Sequence, residues 1–172
     1  MGEYTSTAKK GREIATAAML FGVAIGVFYL SKIPNLPFPV LFQLVAVFLL
    51  VAAVLIITRY VMRRYTCRLE VNQKGSVDFV IVEHYGRRDT VVCRVYAAQI
   101  RSAVRRTKET WKQSAGQRKG KQVFHYTACF SDPDRVIAEV FPEEDGENSF
   151  FVEFAADETF LKLLQAALPQ DV

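Results

Sequence analysis

Two histidines, three cysteines and one tryptophan among 172 residues leave little material for the usual catalytic and metal-binding devices. His84 and His125 stand far apart, and the chain holds no H-x-x-x-H, C-x-x-C or G-x-S-x-G pattern and no glycine-rich phosphate loop between a strand and a helix. No local pair of ligands is therefore available to nucleate a metal, and no nucleophile sits on a sharp turn. Glu83 beside His84 is an acid–base pair in composition only, because adjacent strand residues point to opposite faces. Cys67, Cys93 and Cys129 are too few and odd in number for a disulfide-stapled secreted module; their apolar strand settings mark them as reduced core residues. No catalytic residue, metal or cofactor is expected.

Charge of one sign is also missing from the chain as a whole. The net +4 divides into seven Lys/Arg against two Asp/Glu in residues 1–64 and fifteen against sixteen in 65–172, which is not the distribution of a nucleic-acid binder. Two segments lack charge altogether. Ile14 to Leu30 is seventeen residues without one, and Phe38 to Thr58 is twenty-one with Gln43 as its strongly polar member. At about 1.5 Å per helical residue each matches a bilayer's hydrocarbon core. The second run contains fifteen Phe, Val, Leu or Ile and inserts by itself, whereas the first has eight among many Ala and Gly and leans on a neighbour.

Between the runs lie residues 32–37, whose two prolines suit a tight reversal. Lys9, Lys10 and Arg12 flank one end of the pair and Arg59, Arg63, Arg64 and Arg68 the other, against one Lys in the intervening loop. By the positive-inside rule this predicts a multi-pass protein of the cell membrane with both termini cytoplasmic: a tail over 1–13, a transmembrane hairpin over 14–58 (14–30 and 38–58), and a soluble domain over 65–172. The opening M-G-E-Y-T-S fits an N-myristoylation pattern, which two spans make redundant. Ala18, Gly22 and Gly26 form a stripe of small residues at four-residue spacing, suited to close helix packing against the second span or in a dimer.

Past Arg64 the pattern changes to alternation, the period of half-buried strands. Tyr65, Cys67, Leu69 and Val71 alternate with polar neighbours; Val77–Tyr85 follows a turn at Asn72–Ser76, then Thr90–Tyr96 with Val91, Cys93 and Val95 on one face, and Ile100–Arg105. After a polar stretch come Gln122–Ser131, Arg135–Phe141, an acidic loop over 142–148, and Ser149–Ala155. Asp157 can cap a helix through Ala167 with Phe160, Leu163, Leu164 and Ala167 on its apolar face. The expectation is an α+β chain, seven antiparallel strands and a helix closing the open end of a bent sheet.

This order of elements, with the stretch from Tyr65 through Gly86-Arg87-Arg88 to Ile100, resembles the pleckstrin-homology-like fold, and the whole chain is similar to bacterial two-helix membrane proteins that carry such a domain. The resemblance implies a seven-stranded barrel with a C-terminal capping helix. It does not carry inositol-phosphate binding with it, because the loop between the first two strands has a single cation, Lys74.

Within the soluble domain charge is segregated. Arg101, Arg105, Arg106, Lys108, Lys112, Arg118, Lys119 and Lys121 face Glu109 alone over 101–121, while ten acids face Arg135 over 132–158. A strongly dipolar domain is expected, with the basic segment free in solvent, held against anionic headgroups with Trp111 as an interfacial aromatic, or bound to a protein partner. The functional expectation is a membrane-anchored, non-catalytic interaction or regulatory module in contact with the lipid bilayer. The alternative is an accessory subunit whose helices dock on a membrane-protein partner or a second copy; nucleic acid is not an expected partner.

Overall fold

The structure is a computed structural model that describes residues 2–6, 10–34, 38–73, 75–129, 132–142 and 149–169. Residues 35–37 of the expected reversal, Lys74, Phe130, Ser131 and the acidic stretch 143–148 lie outside these.

A short strand, β1 (Glu3–Thr5), precedes helix α1 (Gly11–Leu30); α2 (Pro39–Ile56) returns beside it and ends in one π-helical turn at Ile57–Val61. The seam between the helices runs through Glu13, Ala17, Leu20, Ala24, Val27 and Ser31 on α1 and Phe42, Ala46, Leu49, Ala53, Ile56 and Tyr60 on α2. Steps of four and three alternate on both, a 3.5-residue repeat that sets two helices at a shallow crossing. Ala17, Ala24, Ala46 and Ala53 are at most 3% exposed and let the backbones approach.

Outside the seam the hairpin is bare. Only 17% of the apolar window of α1 and 11% of that of α2 are buried, so neither is the covered core helix of a soluble protein; both are long and apolar enough to cross a membrane. Ala18, Gly22 and Gly26 are exposed, and a Cβ added at Gly22 or Gly26 would meet no atom within 4 Å. The small-residue stripe therefore does not pack on α2. The neighbouring line, which carries Leu20 and Val27, offers α2 more van der Waals contact than a line of glycines can.

The domain that follows contains β2 (Arg63–Val71), β3 (Val77–Tyr85), β4 (Arg88–Tyr96), a 3₁₀ turn at Ala97–Gln99, β5 (Ile100–Arg105), two short helices α3 (Lys108–Gln113) and α4 (Ala115–Arg118), β6 (Val123–Tyr126), β7 (Arg135–Val140), β8 (Phe150–Ala155) and α5 (Glu158–Ala167). Among the described residues eight strands form two four-stranded sheets, ordered β1-β2-β3-β4 and β5-β7-β8-β6, rather than one closed seven-stranded barrel. Two features break the expected pattern. Residues 3–5, read as tail, pair antiparallel with Thr66–Arg68, and β6 lies parallel to β8 at a sheet edge instead of continuing a meander.

Alternation then meets geometry. Cys67, Leu69, Phe79 and Ile81 of the first sheet face Ile100, Val136, Ala138, Val140, Val152 and Phe154 of the second, with the Phe79 and Phe154 rings 4.8 Å apart between centroids. A β-bulge falls where Ile81 pairs with Cys93 and Val82 with Val91, so Val92 is the extra residue and packs on the core with Cys93 and Val95. Val91, expected inside, is left 52% exposed.

Helix α5 covers one end of the core with Phe160, Leu161 and Leu164; its Asp157 cap accepts from the Phe160 amide at 2.7 Å. Leu163, expected on this face, is exposed beside Gly2. Tyr4 of β1 lies 6.5 Å from the Phe160 ring, and burial, reinforced by Asp132, Asp134 and Asp157, pushes its hydroxyl up to about 12.

Candidate functional site at the base of the hairpin

The chain enters and leaves the hairpin at one end, and the domain is fastened there. β1 before α1 pairs with β2 after α2, and the Leu69 amide donates to the Gly2 carbonyl at 2.9 Å. Lys10 reaches from the start of α1 to the end of α2, where its ammonium donates to the carbonyls of Val61 (2.8 Å) and Arg63 (2.5 Å). Val61 is the last residue of the helical segment, whose final carbonyls have no partner within it, and a cation is the favourable group to place there; the Arg63 carbonyl opens β2 just beyond.

Beside this junction is a cavity of about 660 Å³ between the end of α2 and the open end of the sheets, lined among others by Leu55, Thr58, Arg59, Arg63, Tyr65, Glu83, His125, Tyr126 and Arg135. Arg63 pairs with Glu83 at 2.9 Å, and the Tyr65 hydroxyl donates to the same carboxylate at 3.3 Å. The Tyr65 and Tyr126 rings meet edge to face at 6.0 Å, and the Tyr126 hydroxyl donates to the Val92 carbonyl at 3.2 Å. Three guanidiniums thus stand against one lining carboxylate.

The wall holding Arg135 and His125 leads to a buried ion cluster. Glu153 sits in the middle of the apolar strand β8 with its side chain 0% exposed. Arg106 and Arg135 both donate to its Oε1, the latter at 3.0 Å, and His125 Nδ1 lies 2.6 Å from Oε2. Burial alone would raise this carboxyl; the hydrogen bonds and charges of Arg106, His125 and Arg135 overcome it and hold Glu153 below its ordinary value. Sequence reading passed over this cluster, although an acid inside Phe150-Phe151-Val152-Glu153-Phe154 can be buried only if it is paired.

The basic segment is drawn into the same arrangement. Arg105 pairs with Asp134 at 3.1 Å and Lys121 with Glu139 at 3.0 Å, while Arg106 takes Glu153, so three of its eight cations neutralise acids of the 132–158 region and the expected dipole is cancelled in part. The cause is topological: residues 106–121 fold across the outer face of the second sheet, where β7 and β8 present Glu139 and Glu153. Trp111 is held between the guanidiniums of Arg106 and Arg118, 3.8 and 3.2 Å from its ring centroid, and two groups so close to one centroid occupy opposite faces. It is therefore not a free interfacial aromatic. Arg101 stacks toward Phe141 at 5.6 Å, and Lys108, Lys112 and Lys119 remain exposed.

Two other polar features lie apart from the cavity. Glu83 and His84 point to opposite faces as expected: Glu83 turns to the junction, while His84 on the outer face bonds Asp89 at 2.6 Å and Thr66 at 2.9 Å. Cys67 and Cys129 are buried and Cys93 half-buried; burial raises all three thiols, Cys93 to about 11, which favours their protonated form at neutral pH.

Compared with known proteins, the chain matches no family model, no curated protein and no solved structure. Its function has to be argued from this geometry.

Proposed function

We propose that this chain is a membrane-anchored, non-catalytic interaction or regulatory module: a two-helix anchor in the cell membrane, both termini cytoplasmic, that holds a two-sheet domain against the inner surface. One observation carries the reading. The two apolar helices are bare except along their mutual seam, while their base is stitched to the domain by β1 and Lys10. Water cannot solvate such a surface without aggregation, and lipid can. Orientation is supported by Lys10, Arg12, Arg59, Arg63 and Arg64 gathering at the base, against Lys32 at the far end. The order of elements, an antiparallel meander followed by a second sheet and a closing helix, supports kinship with pleckstrin-homology-like modules at the level of architecture. The test is alkaline-carbonate extraction of native membranes with reporters fused at each terminus. Retention in the pellet with both reporters reading cytoplasmic is expected; release into the supernatant, or a terminus reading outside, overturns the proposal.

A second reading, an accessory subunit that docks through its helices, draws on the outward Ala18, Gly22 and Gly26 stripe and on exposed Gln43, which α2 and α1 leave to another occupant. Purification in mild detergent with a stoichiometric membrane-protein partner would favour it over the first.

A further inference from the structure

We infer that the cavity at the base of the hairpin is a binding site for the headgroup of an anionic phospholipid, its phosphate taken by Arg59 and Arg63 and its acyl chains lying along the bare side of α2 past Leu55. The inference rests on the membrane reading above and deepens it by naming a ligand class.

Depth is the first argument. From Pro39 to Arg59 the chain rises through twenty helical steps, about 30 Å, the thickness of a hydrocarbon core. If the start of α2 is at one face of the apolar layer, Thr58 and Arg59 are at the headgroup level of the other. The cavity opens at that level, between the last apolar turn of α2 and the domain.

Charge is the second. Arg59, Arg63 and Arg135 line the cavity against Glu83 alone, and the described structure gives Arg59 no acidic partner. Arg135 is already committed to buried Glu153, so it fixes the wall rather than supplying a free cation. Arg63 is tied to Glu83 through Nη1, while its buried Nε has no hydrogen-bond partner. The negative end of α2 would oppose an anion here, and Lys10, seated on the carbonyls of Val61 and Arg63, offsets it.

Shape is the third. The lining runs from Leu55 through Thr58 to the guanidiniums and the His125 side, apolar to polar in the order in which a phospholipid changes from chain to headgroup. At about 660 Å³ the cavity is of the size that takes a small ligand. The exposed cations of α3 and α4 offer only a diffuse surface contact, and the loop between β2 and β3 has one cation, so neither gives such a setting.

The test uses the full-length protein. It is reconstituted into nanodiscs of phosphatidylcholine alone or with phosphatidylglycerol, released into mild detergent, and the co-retained lipid is counted by native mass spectrometry. Selective retention of one phosphatidylglycerol is expected. Arg59→Gln should weaken it about fivefold and Arg59→Gln with Arg63→Gln further, by the scale of a cation near an anionic headgroup; Lys108→Gln with Lys112→Gln should leave it unchanged. Since Arg63→Gln also removes the partner of Glu83, the single Arg59→Gln variant keeps the test decisive. Equal retention of the two lipids, indifference to Arg59→Gln, or displacement of the lipid by soluble glycerol phosphate overturns the inference. Failure to enter nanodiscs at all would instead overturn the membrane reading on which it rests.

Discussion

Among the described residues Glu153 carries three charge contacts, from Arg106, His125 and Arg135, and the consequences can be measured. Replacing it with Gln leaves Arg106 and Arg135 without their shared anion, which by the usual cost of breaking a buried pair should lower stability by about 3 kcal/mol, read as a loss of Tm in detergent. Its folded carboxyl ionises below the unfolded one, so the stability it adds is present above the unfolded value near pH 4 and disappears as pH falls toward the folded value. Wild type should therefore lose stability on acidification below about pH 5 more steeply than Glu153→Gln, and parallel curves would show that the cluster adds nothing. Trp111 offers a second handle because it is the single tryptophan. Arg118→Gln opens one face of its ring to water, and a red shift in fluorescence emission with unchanged membrane retention is the expected outcome.

At the scale of elements, the helices are joined by alanines and not by glycines. Ala24→Leu or Ala53→Leu forces side chains into a seam with no room for them and should cost about 1–3 kcal/mol, measured by unfolding in mixed micelles. Gly22→Leu with Gly26→Leu fills open space at outward positions and removes two flexible residues from a helix interior, so the hairpin should be as stable as wild type or more so. Loss of helix association in the glycine variant would mean that this stripe meets another helix. The sheets show a similar economy. β1 is three residues long, yet it covers the edge of β2 and brings Tyr4 onto Phe160.

For the molecule as a whole, β1 makes the helical hairpin and the domain one object, because the sheet contains chain from both sides of the hairpin. Deleting residues 2–6 from the full-length protein should expose the β2 edge and lower domain stability by about 2 kcal/mol, visible as faster hydrogen exchange at the Leu69 amide, which donates to the Gly2 carbonyl. A domain expressed from residue 65 onward would have the same defect. Unchanged exchange would mean that β1 is ornamental. Lys10 and β1 both tie the hairpin to the first sheet at the same end.

What the sequence determined by itself is whatever depends on neighbours along the chain: two uncharged runs of membrane length, the positions of strands β2, β3, β5, β7 and β8, the Cys67/Leu69 alternation of β2, and the Asp157 cap of α5. Tertiary structure decided the rest, because it depends on which distant surfaces meet. Three residues at the N-terminus are too short to show a period, so β1 emerged only when β2 offered an edge. The parallel placement of β6 and the bulge that turned Val91 outward arose in the same way, from pairing. The charge pattern was legible as segregation, but only folding brought Arg105, Arg106 and Lys121 onto Asp134, Glu153 and Glu139. The cavity lies where the end of a helix meets two sheets, and residues 55 to 135 converge there by chain topology, which no local spacing encodes.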